Sequence, residues 1–79
     1  MPSSSLSFSP EATAFLRTYI DDQGATTYIG KAAPGSDTNA PVWRLMRIQV
    51  VGSVTMVTYA GGTTGFVNTW DDRASLSYE

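Results

Sequence analysis

The strongest strand signal in the sequence is Val42-Trp-Arg-Leu-Met-Arg-Ile-Gln-Val-Val51. A helix is the rival interpretation, because helical spacing would place Trp43, Met46 and Arg47 on one side. The β-branched content of the run, with a proline before it and a glycine after it, favours a strand. Neither side of this strand is purely apolar. We therefore expect it to pack on both sides, with its arginines at the margins.

A hairpin signal precedes this strand. Asp21-Asp-Gln-Gly24 separates two runs of aromatic and β-branched residues, Ala14–Ile20 and Ala25–Gly30. Such a spacing predicts a hairpin whose loop is closed by Gly24 at positive φ. A glycine inside a strand pattern, as at Gly30, predicts a bulge or a close approach of another part of the chain.

Further strand signals follow in the second half of the chain. Gly52-Ser53 predicts a turn into a strand over Val54–Ala60, and later signals predict strands over Phe66–Trp70 and Ala74–Tyr78. The sequence therefore predicts an all-β fold, a small antiparallel sandwich or barrel built from hairpins. We expect residues 1–13, rich in Ser, Pro and Thr, to be a flexible N-terminal arm, and residues 14–79 to form a single small β domain.

Size and composition limit what the chain can do. Its 79 residues include no Cys and no His, which removes disulfides and makes a zinc site an improbable choice. A chain this short buries little surface, so we expect a homo-oligomer or a unit docked on a larger assembly. The net charge is −2 and the five basic residues form no cluster, which argues against a nucleic-acid partner. No run is long and apolar enough for a membrane span, and the N-terminus lacks a signal-peptide pattern.

The chain is poorly equipped for catalysis. Without His, no ordinary Ser-His-Asp arrangement exists, and the turn Gly61–Gly65 lacks the Lys-Ser/Thr ending of a phosphate loop. Asp71 and Asp72 are adjacent, so on a strand they would point to opposite faces and could not work as an acid–base pair. We interpret them as turn-capping residues in preference to metal ligands. We expect no enzymatic activity, no cofactor and no metal.

The N-terminal arm and two further segments are the candidates for contacts with a partner. One is the long loop before the central strand, and the other is the turn that begins at the second tryptophan; their candidate interface residues are Asp37, Asn39, Pro41, Trp70, Asp71, Asp72 and Arg73. Arg73 has two interpretations: an anchor in an interface, where Trp and Arg are enriched, or an internal ion pair that fixes the last turn. For Trp43 and Trp70 we expect core positions, since a small chain needs large side chains in its core.

Three motifs carry a resemblance. The order Tyr28-Ile-Gly-Lys-Ala32, then Trp43-Arg-x-x-Arg-Ile48, then Trp70-Asp-Asp-Arg-Ala-Ser-Leu76 resembles a group of small tailed-bacteriophage proteins. Members of that group look like virion structural components or uncharacterised products of structural gene clusters. The match spans most of residues 19–78. In this chain the turn over Gly61–Gly65 is less acidic than in the group, and the hairpin before it is richer in Thr and Val.

The resemblance implies a function without enzymatic chemistry. We expect a bacteriophage virion structural protein, a capsid decoration or cement protein or a similar multi-copy component, located in the virion after assembly in the host cytoplasm. Its partners would be other virion proteins, such as major capsid or tail proteins. One alternative is a binding module on the tail or baseplate that contacts a glycan or the host surface, for which Trp70 beside Asp71 and Asp72 is the supporting feature. Another is a cytosolic phage inhibitor of a host protein.

Overall fold

The computed structural model describes residues 16–79, so the arm predicted for residues 1–13 lies outside the described residues. The elements are β1 (Arg17–Asp22), β2 (Thr26–Ala32), β3 (Pro41–Val51), β4 (Val54–Tyr59), β5 (Asn68–Thr69) and a 3-10 helix (Trp70–Asp72). The strands form one antiparallel sheet in the order β1-β2-β3-β4, and β5 pairs with the start of β3. The predicted all-β, hairpin-built antiparallel fold is confirmed, and the sheet is not closed into a barrel.

Local turn chemistry connects the strands. At the first hairpin Gly24 adopts a φ of +82°, its amide donates to Asp22 Oδ1 at 3.0 Å, and Gln23 N donates to the Thr26 carbonyl at 2.8 Å. Gly52, with a φ of +62°, opens the two-residue turn between β3 and β4. Both turns need a residue that tolerates positive φ, which is why glycine stands there.

The C-terminal segment departs from the sequence prediction. The strand predicted over Phe66–Trp70 is reduced to Asn68–Thr69, and the strand predicted over Ala74–Tyr78 is wrong. Consecutive turn hydrogen bonds, from Arg73 N to Trp70 O and from Ser75 N to Asp72 O, coil the backbone after the 3-10 helix. Only Tyr78 returns to the sheet, as an isolated bridge to Ala60. The alternation of small and large residues over Ala74–Tyr78 suggested a strand, but these residues lie on successive turns.

The core lies between the sheet and this C-terminal segment. Its buried residues are Tyr28, Ala32, Trp43, Leu45, Ala60 and Trp70, with Tyr19, Leu76 and Tyr78 packed against them. The rings of Tyr19, Trp43 and Trp70 contact one another, with centroids 5.0 to 5.8 Å apart. The prediction that both tryptophans are core residues is confirmed, since Trp43 is fully buried and Trp70 is 8% exposed.

The two faces of the sheet have different surroundings. One, the covered face, carries Tyr19, Gly30 and Leu45 in a row across three strands and lies under the C-terminal segment. The other, the open face, carries residues of opposite parity, among them Ile20 and Met46. Among residues 16–79 no other strand or helix packs on the open face, so the predicted packing of β3 on both sides is not seen in this range. The loop before β5 reaches the border of the open face, where the Arg44 guanidinium lies over the Phe66 ring at 4.7 Å.

At Gly30 the C-terminal segment approaches the backbone of the sheet very closely. A Cβ atom built at Gly30 would lie 2.5 Å from Trp70 Cε3 and 2.8 Å from Cζ3. These distances are below van der Waals contact, so a side chain at this position and the Trp70 ring exclude each other. The predicted close backbone approach at Gly30 is therefore confirmed.

We predict that Gly30→Ala lowers the free energy of unfolding by about 1–3 kcal/mol, because the added methyl group overpacks the site. Alanine in a strand is otherwise favoured over glycine, so the sign of the effect reports the contact with Trp70. Urea unfolding should be measured for Gly30→Ala, for Trp70→Leu and for the double variant. In the Trp70→Leu background the cost of Gly30→Ala should fall by about 1 kcal/mol or more. Strictly additive costs would contradict the Trp70 clash.

Candidate interaction surface

The long loop before β3 is built around the indole of Trp43. Trp43 Nε1 donates to the Asp37 carbonyl at 2.9 Å, and Ala40 N donates to the same carbonyl at 3.2 Å. At the start of the loop, Ser36 Oγ donates to the Ala33 carbonyl at 2.7 Å. These bonds satisfy backbone groups of a segment that has no strand partner, so the loop has a defined shape.

The structure brings the two predicted contact segments together. Asp71 N donates to the Thr38 carbonyl at 3.1 Å, and Thr38 Oγ1 donates to Asp71 Oδ2 at 3.2 Å. Pro41 pairs with Thr69 in the β3–β5 ladder. The result is an exposed polar patch at one end of the molecule, here called the acidic end, which contains Asp37, Asn39, Pro41, Asp71 and Asp72.

The other two predicted contact residues point inward. Trp70 lies in the core, and the Arg73 guanidinium lies over its ring at 4.4 Å. Arg73 Nε forms an ion pair with Asp21 Oδ2 at 3.0 Å, and Arg73 Nη1 donates to the Trp70 carbonyl at 3.1 Å. Of the two interpretations of Arg73, the internal ion pair is the one observed in the structure. An interface role for this residue stays a prediction.

Two titratable groups beside Arg73 have perturbed pKa values. The pKa of Asp21 is lowered, first because Gln23 donates a hydrogen bond to its carboxylate and then because Arg73 does so. Burial raises the pKa of Tyr78 to about 12, and the neighbouring Tyr28 adds to the shift. The Tyr78 hydroxyl donates to the Arg73 carbonyl at 2.8 Å, which fixes the end of the chain against the turn.

The carboxylates differ in how they are used. Asp22 caps the first hairpin by accepting from the Gly24 amide, whereas Asp71 accepts from Thr38 of the long loop instead of capping its own turn. Within residues 16–79 no three acidic side chains lie close enough together to hold a metal ion. In the same range, no helix has the length and apolar character needed to cross a membrane.

Sequence reasoning did not identify the open face as a surface. Strand register aligns a row of large side chains across all four long strands: Ile20 opposite Ile29, Ile29 opposite Met46, and Met46 opposite Tyr59. A second row places Ile48 opposite Val57. Ile20 and Val57 are 65% and 53% exposed. The signal was the parity of these residues, which became visible only once the register between strands was known.

Two cations border the open face. A depression of about 80 Å³ is lined by Ile29, Lys31, Arg44, Met46 and Tyr59. Lys31 Nζ donates to Thr18 Oγ1 at 3.4 Å, and Arg44 Nε donates to the Thr64 carbonyl at 3.0 Å. Neither cation has a carboxylate partner within the range 16–79. The open face therefore combines an apolar band with positive charge on one side.

Comparison of this chain with protein-family models, with curated proteins and with solved structures gives no match.

We predict that Asp21→Asn reduces the loss of stability in acid. Because the pKa of Asp21 in the folded state is below its ordinary value of 3.8, its contribution to stability is complete above that value. The contribution is lost as the pH falls through the lower, folded-state pKa. Urea midpoints at about pH 7 and about pH 3 should therefore differ less for Asp21→Asn than for the wild type.

The matched control is Asp37→Asn, since among the described residues the Asp37 side chain makes no hydrogen bond or ion pair. This variant should keep the wild-type difference between the two pH values. Equal acid sensitivity of Asp21→Asn and the wild type would contradict the lowering of the Asp21 pKa by Gln23 and Arg73.

We predict that Arg73→Ala lowers the free energy of unfolding at neutral pH by about 1–2 kcal/mol, because hydrogen bonds and a cation–π contact inside the fold are lost. The comparison variant is Arg17→Ala, which removes an exposed arginine whose Nη1 lies 3.3 Å from the Tyr19 hydroxyl. Its urea midpoint should stay close to that of the wild type. If both variants unfold alike, Arg73 does not brace the turn.

Proposed function

We propose that this chain is a non-enzymatic structural protein of a tailed-bacteriophage virion, used in many copies as a capsid decoration or cement protein. The phage context comes from the motif resemblance over residues 19–78. The observation that carries a docking role is the open face, where a row of apolar side chains crosses the sheet without a covering layer among residues 16–79. In this row Ile20 is exposed, and Ile29, Met46 and Tyr59 are half-buried. Contiguous apolar surface that remains accessible on a small protein is typical of protein interaction sites.

The chemistry of the open face defines the partner. A band formed by Ile20, Ile29, Met46 and Tyr59 calls for apolar side chains, and Lys31 and Arg44 beside it call for a carboxylate. We propose that the occupant is the surface of a larger virion subunit that presents apolar residues next to an acidic side chain. Burying the band against it would remove apolar area from water, and the charge pairs at its border would set the orientation.

The acidic end is a second contact region in this proposal. Asp37, Asn39 and Pro41 share that end with Asp71 and Asp72, and all five are exposed. Exposed charges of one sign favour a basic neighbour and contribute more to orientation and association rate than to affinity. The acidic end and the open face therefore suit neighbours of different character.

The glycan-binding alternative loses the feature that favoured it. A sugar would stack on an open aromatic face, but the Trp70 ring is packed against Gly30, Tyr19 and Trp43 and lies under the Arg73 guanidinium. Asp71 and Asp72 remain exposed without a free ring beside them. No contact in the described range favours an inhibitor of a host protein.

We predict that mass spectrometry of purified particles of the encoding phage detects this chain at a copy number comparable to that of the major capsid protein. A decoration or cement role requires one copy for every few capsid subunits. A few copies per particle would favour the neck, tail or baseplate, and absence from particles would overturn the proposal and favour the inhibitor.

The open face is tested in the same particles with a matched pair of variants. Ile20→Ser removes an apolar side chain from the band, and Val67→Ser removes one from the loop before β5, where Val67 is 63% exposed. Both residues are β-branched and similarly exposed, so their effects on folding should be similar. Ile20→Ser should load less well than the wild type and Val67→Ser should load normally; equal loading would contradict docking through the open face.

A further inference from the structure

The two edges of the sheet differ in their protection. The strand at one edge, β1, contains Arg17, Asp21 and Asp22, and charged residues on an edge discourage pairing with other strands. At the other edge β4 reads Val-Thr-Met-Val-Thr-Tyr. No charged residue occurs anywhere from Ile48 to Trp70. The β4 edge therefore lacks the usual protection of an edge strand.

The direction of each backbone hydrogen-bonding group of β4 can be assigned. Ala60 N donates to the Leu45 carbonyl at 3.0 Å, so residues of even number in β4 direct their N–H and C=O groups toward β3. Residues of odd number direct theirs outward. At Tyr59 the outward carbonyl accepts bonds from Gly62 N and Glu79 N, both at 3.0 Å. Among the described residues the outward groups of Thr55 and Val57 have no such partner.

We propose that a second copy of this chain pairs with this edge, β4 against β4 in antiparallel orientation about a two-fold axis. Because the two-fold axis is perpendicular to the sheet, the open faces of the two copies lie on the same side of the combined sheet. With Met56 opposite Met56 of the second copy, Thr55 of each copy lies opposite Val57 of the other. In this register the outward groups of these two residues form four inter-chain hydrogen bonds and leave none of them unpaired.

Several observations favour a second copy over an unrelated strand. The bare groups are self-complementary under two-fold symmetry, and the uncharged strand opposes no like charges. Three exposed apolar side chains lie beside the edge, Val54 and Met56 on one face of the sheet and Val57 on the other. Pairing with a second β4 strand would therefore place a neighbouring chain beside apolar side chains on both faces. Residues 16–79 of one copy bury six apolar side chains, and oligomerisation is a usual way to stabilise so small a unit.

The position of Met56 on the axis gives a charge test. The full chain should be studied by sedimentation or by light scattering coupled to size exclusion, over a range of concentrations. We expect a dimer for the wild type, and an increase of about tenfold or more in the dimer dissociation constant for Met56→Lys and for Met56→Glu, because like charges then meet at the axis. An equimolar mixture of Met56→Lys and Met56→Glu should restore the dimer as a heterodimer.

Val67→Lys is the matched control, since it places the same charge at an exposed position away from the edge and should leave dimerisation unchanged. Circular dichroism of each variant checks that the fold is kept. A monomeric wild type, large aggregates in place of a dimer, a dimer indifferent to Met56→Lys, or a mixture that stays monomeric would each overturn the inference. Because the readout is the solution state of the isolated chain, it is independent of whether the chain is found in particles.

Discussion

The contact between the Trp70 ring and the backbone at Gly30 determines how the rest of the molecule is arranged. It places the largest side chain of the C-terminal segment directly on the sheet, at a distance that no other residue at position 30 would allow. From that point the segment reaches Asp21 through Arg73 and returns to Ala60 through Tyr78. A segment with little regular secondary structure is thereby fixed as the second layer of the core.

Because the C-terminal segment packs on one face of the sheet, it leaves the opposite face without a layer. A chain of 79 residues has one C-terminal segment to use as a layer, and it lies on the covered face. Within the described range, the row from Ile20 to Tyr59 and the outer edge of β4 have no layer of their own. Small domains bury a limited fraction of their surface, so apolar residues left outside the core are suited to contacts with other chains.

The hairpins could be predicted from the sequence because their signals are local. Gly24 and Gly52 act within a few residues of the turns they close, and the β-branched run of β3 has its strand partners on both sides. The two sides of the sheet could not be told apart in this way. Which side is covered depends on the side against which Trp70 packs, and Trp70 is about forty residues along the chain from its contact at Gly30. The strand predicted for Ala74–Tyr78 is wrong for the same reason, because this segment is held by contacts distant in sequence, the ion pair of Arg73 with Asp21 and the bridge of Tyr78 to Ala60.

The interface prediction shows why composition is ambiguous in a chain of this size. Trp and Arg are enriched at binding sites because they combine a large contact area with directional hydrogen bonds, and a small core needs the same properties. Here Trp70 is one of six buried apolar residues within residues 16–79, and the half-buried Arg73 lies over its ring. In the two proposals made above, recognition of a partner depends on features that carry no compositional signal: the exposed aliphatic residues of the open face, and the outward backbone groups of β4 that have no partner among residues 16–79. In this chain, strand register brings out candidate interaction surfaces that the positions of the aromatic and arginine residues do not indicate.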